Sequence, residues 1–390
     1  RASLSGASVI LGSATPSLES SYRARKGMYG WYRLDHRIGA AMLPEVSVVD
    51  LREELKAGNR SIFSRRLYSA MDDRLKKREQ IMLFLNRRGL SGFVSCRSCG
   101  KAVRCPHCDV TLSLHQDGWL RCHYCGYQIR MPEQCPSCGS PYISGFRAGT
   151  QQIEREVKKY FPGARVLRMD YDTTRTKESY EKILTAFGKG EADVLVGTQM
   201  IVKGHDFPNV TLVGVIAADI SLYAPDYRAS ERTFQLLTQA VGRAGRGKKA
   251  GEAVIQTYMP EHYSIETAAK QDYEAFYRQE ISYRSLMGYP PVENMMGIYL
   301  SCEAPELLEQ QAEVIGERIR AAGRQHLQMI GPADAALAKK NDRYRKVIYI
   351  KHRDTEQLLY IKEQLEQQIE KETVWEKVRI QFDLNPFQAY

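Results

Sequence analysis

No apolar run in this 390-residue sequence is long enough to cross a bilayer. The longest, "VTLVGVIAA" at 210–218, is about half the length a spanning helix needs. No charged-then-apolar signal segment opens the chain. A membrane partner is therefore not expected, and the expected compartment is the cytoplasm. Internal repeats and low-complexity tracts are also missing, which sets aside solenoid and disordered classes. Cysteine is nearly absent outside one block. Eight of the nine lie between 96 and 138, and the ninth, Cys302, sits in an apolar stretch that makes it a small buried hydrophobe.

The length suffices for two or three domains, each with its own core. A net charge of +10 favours polyanionic partners, as a mild bias only. The first residue is Arg1, and "ASVILGSATPS" follows almost at once like the edge of a sheet already under way, so the expectation is a piece of a longer protein.

From 60 to 260, short β-rich apolar runs alternate with helical patterns: "QIMLFLN" (80–86), "ARVLRMD" (164–170), "ADVLVGTQ" (192–199), "VTLVGVIAAD" (210–219) and "AVIQTYM" (253–259). The runs are continuous rather than alternating, as in strands buried on both faces of a parallel sheet. Helical periodicity fills 150–161, 176–189 and 229–243. The fold class is α/β, a layered parallel-sheet domain interrupted by a cysteine-rich insertion at 94–147. Residues 1–40 precede the pattern as the tail of another layer; 41–93 and 148–260 form the sheet domain. A helical linker occupies 261–290 and breaks at "GYPP", where proline cannot continue a helix. Residues 291–390 read β-α-β-β-α-β, a split βαβ, ferredoxin-like α+β domain.

The cysteines form four C-x-x-C knuckles: Cys96/Cys99, Cys105/Cys108, Cys122/Cys125 and Cys135/Cys138. Each knuckle places two thiolates on one side of a tight turn, and two knuckles complete a tetrahedral sulfur cage, so eight cysteines hold two structural zinc ions. Thirteen residues separate Cys108 from Cys122, close to ribbon spacing. A nested arrangement therefore puts Cys96, Cys99, Cys135 and Cys138 around one ion and Cys105, Cys108, Cys122 and Cys125 around the other; sequential pairing stays open. Iron–sulfur ligation fits the spacings less well. His107, His115 and His123 are read as surface or supporting groups. Trp119, Arg121, Tyr124 and Arg130 offer stacking and phosphate contacts, or a solvated ribbon face.

"TQAVGRAGRGKK" (238–249) sets Arg243 and Arg246 among glycines at a helix end. Gly242, Gly247 and Lys248 also fit G-x-x-x-x-G-K. However, Lys249 stands where a phosphate loop needs Ser or Thr, and the glycines follow a helix rather than leading from a strand into one.

"LGSATPSLES" (11–20), "VLVGTQMIVKGHDFPNV" (194–210) and "QLLTQAVGRAGRG" (235–247) together resemble motifs three, five and six of superfamily 2 helicases. With the nested knuckles after "LFLNRRG" and the "YRSLMGYPP" segment, the whole chain resembles the C-terminal part of the PriA (primosomal protein N-prime) family of bacterial replication-restart DNA helicases. That resemblance implies a RecA-like helicase lobe and an ATP-dependent 3′-to-5′ DNA helicase acting in fork restart and primosome assembly. Its partners would be branched forks, single-stranded DNA, single-strand-binding protein and other primosome proteins. It also implies roles for particular residues. Gln239, Arg243 and Arg246 would face ATP held by the other lobe, the arginines stabilising charge on the transferring phosphoryl group. Gly204 and Asp206 would lie at the nucleotide cleft, and Thr198, Gln199 and Lys203 would link it to the DNA strand. Ser13 and Thr15 would couple hydrolysis to lobe movement.

The departures matter as much. No phosphate loop in strand-to-helix context and no D-E-x-H is present, so ATP and Mg²⁺ are expected as cofactors of the complete protein and the chain alone is expected to be inactive. A competing reading is a non-enzymatic zinc-ribbon module that binds nucleic acid on a degenerate helicase fold; it has no use for both arginines beside Gln239. An RNA helicase or restriction-type translocase is a third, against which the four knuckles count. The basic stretch "KKNDRYRK" (339–346) suggests phosphate contact or a solvated hairpin.

Overall fold

Continuous apolar runs are buried on two faces. In the computed structural model, which describes residues 2–387 apart from 35–42, 86–93, 109, 116, 124, 146–148, 172, 175, 202–205, 225 and 248, strands Gln80–Leu85, Val194–Gly197 and Val210–Ile216 are buried at every position. They form the centre of a six-stranded parallel sheet. Its spatial order is Glu45–Asp50, Glu252–Thr257, Val210–Ile216, Gln80–Leu85, Val194–Gly197, Val166–Met169. Alternate residues feed two cores. Met82, Phe84, Leu195 and Val213 pack against Leu184, Phe187, Phe234, Leu237, Ile265 and Phe276, whereas Ile81, Leu83, Val194 and Leu212 pack against Leu67, Met71, Ile153 and Val157. Each such side chain contributes roughly 1.5–3 kcal/mol on leaving water.

Three features differ from the sequence reading. An edge strand, Glu45–Asp50, precedes the first foreseen one. Residues 7–13 form no strand, and Val9, Ile10 and Leu11 are exposed. The 261–288 segment is two helices, Tyr263–Ala269 and Tyr273–Met287, and their Ile265, Ala268, Phe276 and Tyr277 belong to the sheet's own core rather than to a linker. The second helix stops at Gly288, whose left-handed conformation closes it ahead of the two prolines.

The last part has the β-α-β-β-α-β order. Its antiparallel sheet runs Gln328–Lys340, Arg343–His352, Asn294–Cys302, Arg379–Leu384. Met296, Ile298, Leu300, Cys302, Ile348 and Ile350 face helices Pro305–Ala321 and Thr355–Ile369. The opposite face, with Met295, Tyr299, Val347 and Tyr349, packs against the cysteine-rich insertion. That insertion thus serves as the second layer of this sheet. Among the described residues, no helix is long and apolar enough to cross a membrane.

Candidate metal cages and nucleotide edge

All four knuckles share one backbone turn. The amide of the first cysteine donates to a carbonyl five residues on: Cys96 to Lys101, Cys105 to Val110, Cys122 to Tyr127 and Cys135 to Ser140, at 2.8–2.9 Å. In three of them a glycine follows the second cysteine (Gly100, Gly126, Gly139), takes a positive φ and returns its amide to the first cysteine's carbonyl. C-x-x-C-G was therefore a readable turn signal beyond the cysteine spacing.

The turns bring the sulfurs together in the nested arrangement. Cys96, Cys99, Cys135 and Cys138 form one group and Cys105, Cys108, Cys122 and Cys125 the other, with the sulfurs of each within 4.8 Å of one another. Sequential pairing is thereby excluded for this fold. Cys96–Cys138 and Cys99–Cys135 lie at 3.7 Å and Cys105–Cys125 at 3.5 Å. A tetrahedron of thiolates about 2.3 Å from a zinc ion has edges of roughly 3.8 Å, so both groups fit a structural zinc ion. They are too tight for a multi-iron cluster. At Cys96 burial opposes ionisation, but the amides of Cys99 and Ser98 together with the Cys138 and Cys135 sulfurs outweigh it and lower the thiol to about 7. Sulfur neighbours Cys108 and Cys122 favour the thiolate at Cys105. His107, His115 and His123 belong to neither group. His107 packs edge-on against Tyr127, and His115 and His123 face each other with Nε2 atoms 3.2 Å apart.

Each cage docks on a different layer. The outer one meets the carboxyl edge of the parallel sheet, where Tyr223 donates to the Gly100 carbonyl at 2.6 Å. A side chain at Gly100 would collide with the Tyr258 carbonyl. Asp219 braces that edge: it is fully buried and accepts from Thr257 and the Tyr258 amide, and burial raises its pKa. The inner cage meets the C-terminal sheet, where Tyr289 donates to the Cys108 carbonyl at 3.2 Å and the His123 ring lies 3.2 Å from the Asp334 carbonyl. Lys351, from the same sheet, is lowered to about 8 by burial, against the opposing pull of Cys108 and Glu293.

Of the other candidates on the insertion, Arg121 is bound to Asp117 and Gln128, and Arg130 lies over Trp119 at 5.6 Å. Tyr124 is outside the described residues. The basic hairpin is largely internally matched, with Lys339 on Asp342, Arg343 on Glu303, and Lys346 on Glu309 and Asp334.

The arginine segment is a rigid turn. Helix Ala229–Val241 carries Gln239 and ends at Gly242, after which the chain reverses. Gly245 adopts a φ of +70°, donates its amide to the Val210 carbonyl at 3.0 Å, and packs so closely on Gly251 that a Cβ would lie 2.4 Å from its nitrogen. The glycines thus serve close packing, not a phosphate. Arg243 is half-buried, and burial, together with the Arg246 charge, lowers its pKa against the pull of Asp206. Arg246 is exposed, donates to the Gly242 carbonyl at 3.0 Å, and has Asp206 3.7 Å away.

Ser13 and Thr15 reach the same helix. Thr15 is buried, its amide donates to Ser13 Oγ at 3.1 Å, and its carbonyl accepts from Gln235 Nε2 at 3.4 Å, one turn before Gln239. The structure therefore gathers Gln239, Arg243, Arg246 and Asp206 at the end of one helix, with Thr15 against Gln235 two turns before Arg243 and Ser13 held to Thr15. Thr198 and Gln199 leave the opposite, carboxyl end of strand Val194–Gly197; Gly204 and Lys203 lie outside the described residues.

The sequence reading missed the charges that hold this helix. Arg284 is wholly buried between Glu280 and Glu231 and approaches Glu19. Arg228 joins Glu19 to the Pro386 carbonyl. Acidic and basic residues in helical patterns read as solvated faces; only the closely spaced charges of "APDYRASER" hinted otherwise.

Three family models match: the PriA DNA helicase Cys-rich region (CRR) domain at 105–130, the Primosomal protein N C-terminal domain at 285–387, and the Helicase conserved C-terminal domain at 143–248. Proteins described as Replication restart protein PriA are similar over most of the chain. The one from Bacillus subtilis (strain 168) is 47% identical over 97% of this chain and 47% of its own length. The Synechocystis protein is 44% identical over 90% and 43%, and the Haemophilus influenzae protein 37% over 97% and 51%. The chain spans about half the length of these relatives.

Proposed function

The chain belongs to the PriA family of replication restart proteins, and from that premise we propose that it supplies the second RecA-like lobe, the zinc module and the C-terminal domain of an ATP-dependent 3′-to-5′ DNA helicase acting at stalled forks. One observation carries the reading: Arg243 and Arg246 are fixed on a glycine-locked turn at the end of the helix that also receives Thr15. A half-buried Arg243 guanidinium on such a turn, with Arg246 exposed beside it, suits a phosphoryl oxygen that gains charge in the transition state. Arg243 and Arg246 act on that oxygen, and Gln239, one turn earlier, orients the attacking water or the phosphate. Asp206 borders the same cleft, and Ser13 and Thr15 transmit its closure along the helix.

This sequence carries no phosphate loop in strand-to-helix context, so the chain alone holds only one side of the nucleotide site and does not turn ATP over. The zinc cages are structural: they set the insertion between the sheet's carboxyl edge and the C-terminal domain, where branched and single-stranded DNA, single-strand-binding protein and other primosome proteins engage. Strand displacement on a forked DNA with a 3′ single-stranded arm tests the reading. The intact protein should unwind it only with hydrolysable ATP; ATP-independent binding without displacement would overturn the proposal.

A further inference from the structure

Lys351 is a buried cation from the C-terminal sheet, 3% exposed. Its ammonium donates to the Met287 carbonyl at 3.0 Å and lies 3.8 Å from the centroid of the Tyr289 ring. Among the described residues no carboxylate comes within 4 Å of it. A buried ammonium served by one carbonyl and one ring face is short of counter-charge. The hydroxyl of that same Tyr289 donates to the Cys108 carbonyl, and Cys108, Cys122, Tyr289, Val347 and Tyr349 share one buried cluster. One residue therefore touches both, the ammonium through its ring face and the inner cage through its hydroxyl, with low-dielectric packing around them, where charges act strongly on each other.

Four thiolates on one divalent ion leave a net charge of −2. We propose that the loaded inner cage is the counter-ion of Lys351, so that metal binding at Cys105, Cys108, Cys122 and Cys125 locks the C-terminal domain in place and docking of that domain tightens the metal. The inference rests on the reading of the cages as zinc sites. Coupling runs both ways by thermodynamic necessity. The outer cage, which docks through Gly100 on the parallel sheet instead, is the internal control. Lys351 is a positioning residue in this account, not a ligand.

The test uses the intact protein, with zinc as the probe, competed by a chromophoric chelator. Wild type should release two zinc ions per chain. Lys351→Met should weaken one of them by roughly tenfold or more and leave the other unchanged, and Lys351→Arg should restore it. With the metal stripped, Lys351→Met should be no less stable to urea than wild type, because the buried ammonium then keeps only the weaker pull of Glu293, which lies beyond 4 Å. A second arm leaves Lys351 intact: Cys105→Ser, which loses the inner ion, should raise amide exchange in Arg343–His352, whereas Cys138→Ser should not. Equal zinc affinities in Lys351→Met, equal destabilisation of its loaded and stripped forms, or unchanged exchange in Cys105→Ser would each overturn the coupling. Absence of zinc from wild type would instead sink the reading of the cages.

Discussion

Arg284 Nη2 lies 2.6 Å from Glu231 Oε2, with the arginine wholly buried, and the pair ties helix Tyr273–Met287 to helix Ala229–Val241, which leads into the Arg243 turn. Glu231 also accepts from the Leu18 amide at 2.9 Å. One guanidinium thus anchors the Ser13–Thr15 segment, the arginine helix and, through the Pro290 carbonyl, the start of the C-terminal domain.

Replacing Arg284 by Met should destabilise the fold by about 3–5 kcal/mol, because it strands Glu280 and Glu231 in the interior. Urea unfolding measures it. A loss below about 1 kcal/mol would show that the two acids do not depend on the arginine.

His262 gives a pH prediction. Burial, reinforced by the Arg104 charge, lowers its pKa to about 4 from an ordinary 6.5, while Nδ1 accepts from the Ser264 amide to cap the helix. Between those values the unfolded chain binds the proton and the folded one does not, so stability is complete above about pH 6.5 and falls as pH drops toward 4. The loss approaches roughly 3 kcal/mol. His262→Asn keeps the cap and removes the titration; its stability should fall less over this window, and parallel curves for the two proteins would refute the assignment.

Zinc removal should unfold the insertion rather than merely loosen it, since its short strands bury little apolar surface and each ion contributes on the order of 10 kcal/mol to folding. Chelation should expose 94–147 to protease while strands Gln80–Leu85 and Val210–Ile216 stay protected. Elemental analysis should give two zinc per chain. A stripped insertion that resists protease would contradict the role of the metal.

The parts that follow from period and spacing were legible in the sequence. Four sheet strands showed as continuous apolar runs because both faces are covered, and Val166–Met169 showed by its short β-rich run although it lies at an edge and is only partly buried. The cysteine turns are set by local backbone, so their spacing showed, although the nested grouping needed the fold. Glu45–Asp50 did not show, because a half-exposed edge strand with acidic ends lacks a continuous run. Nor did Arg284, Glu280, Glu231 and Lys351, since a charge gives no sign in sequence of whether tertiary packing will bury it. Tyr289 and Tyr223 belong to no motif that would mark them. Their work lies in their hydroxyls, which reach carbonyls in the insertion more than a hundred positions away.

The most direct measurement is DNA-stimulated ATP hydrolysis by the intact protein with Arg243→Ala and Arg246→Ala, made singly and together, alongside fork binding. Each single change should lower hydrolysis by roughly 10³-fold or more, with zinc content and fork affinity kept. The double variant should fall little further, because the two arginines act on one transition state. Hydrolysis at the wild-type rate with both arginines removed would contradict the account.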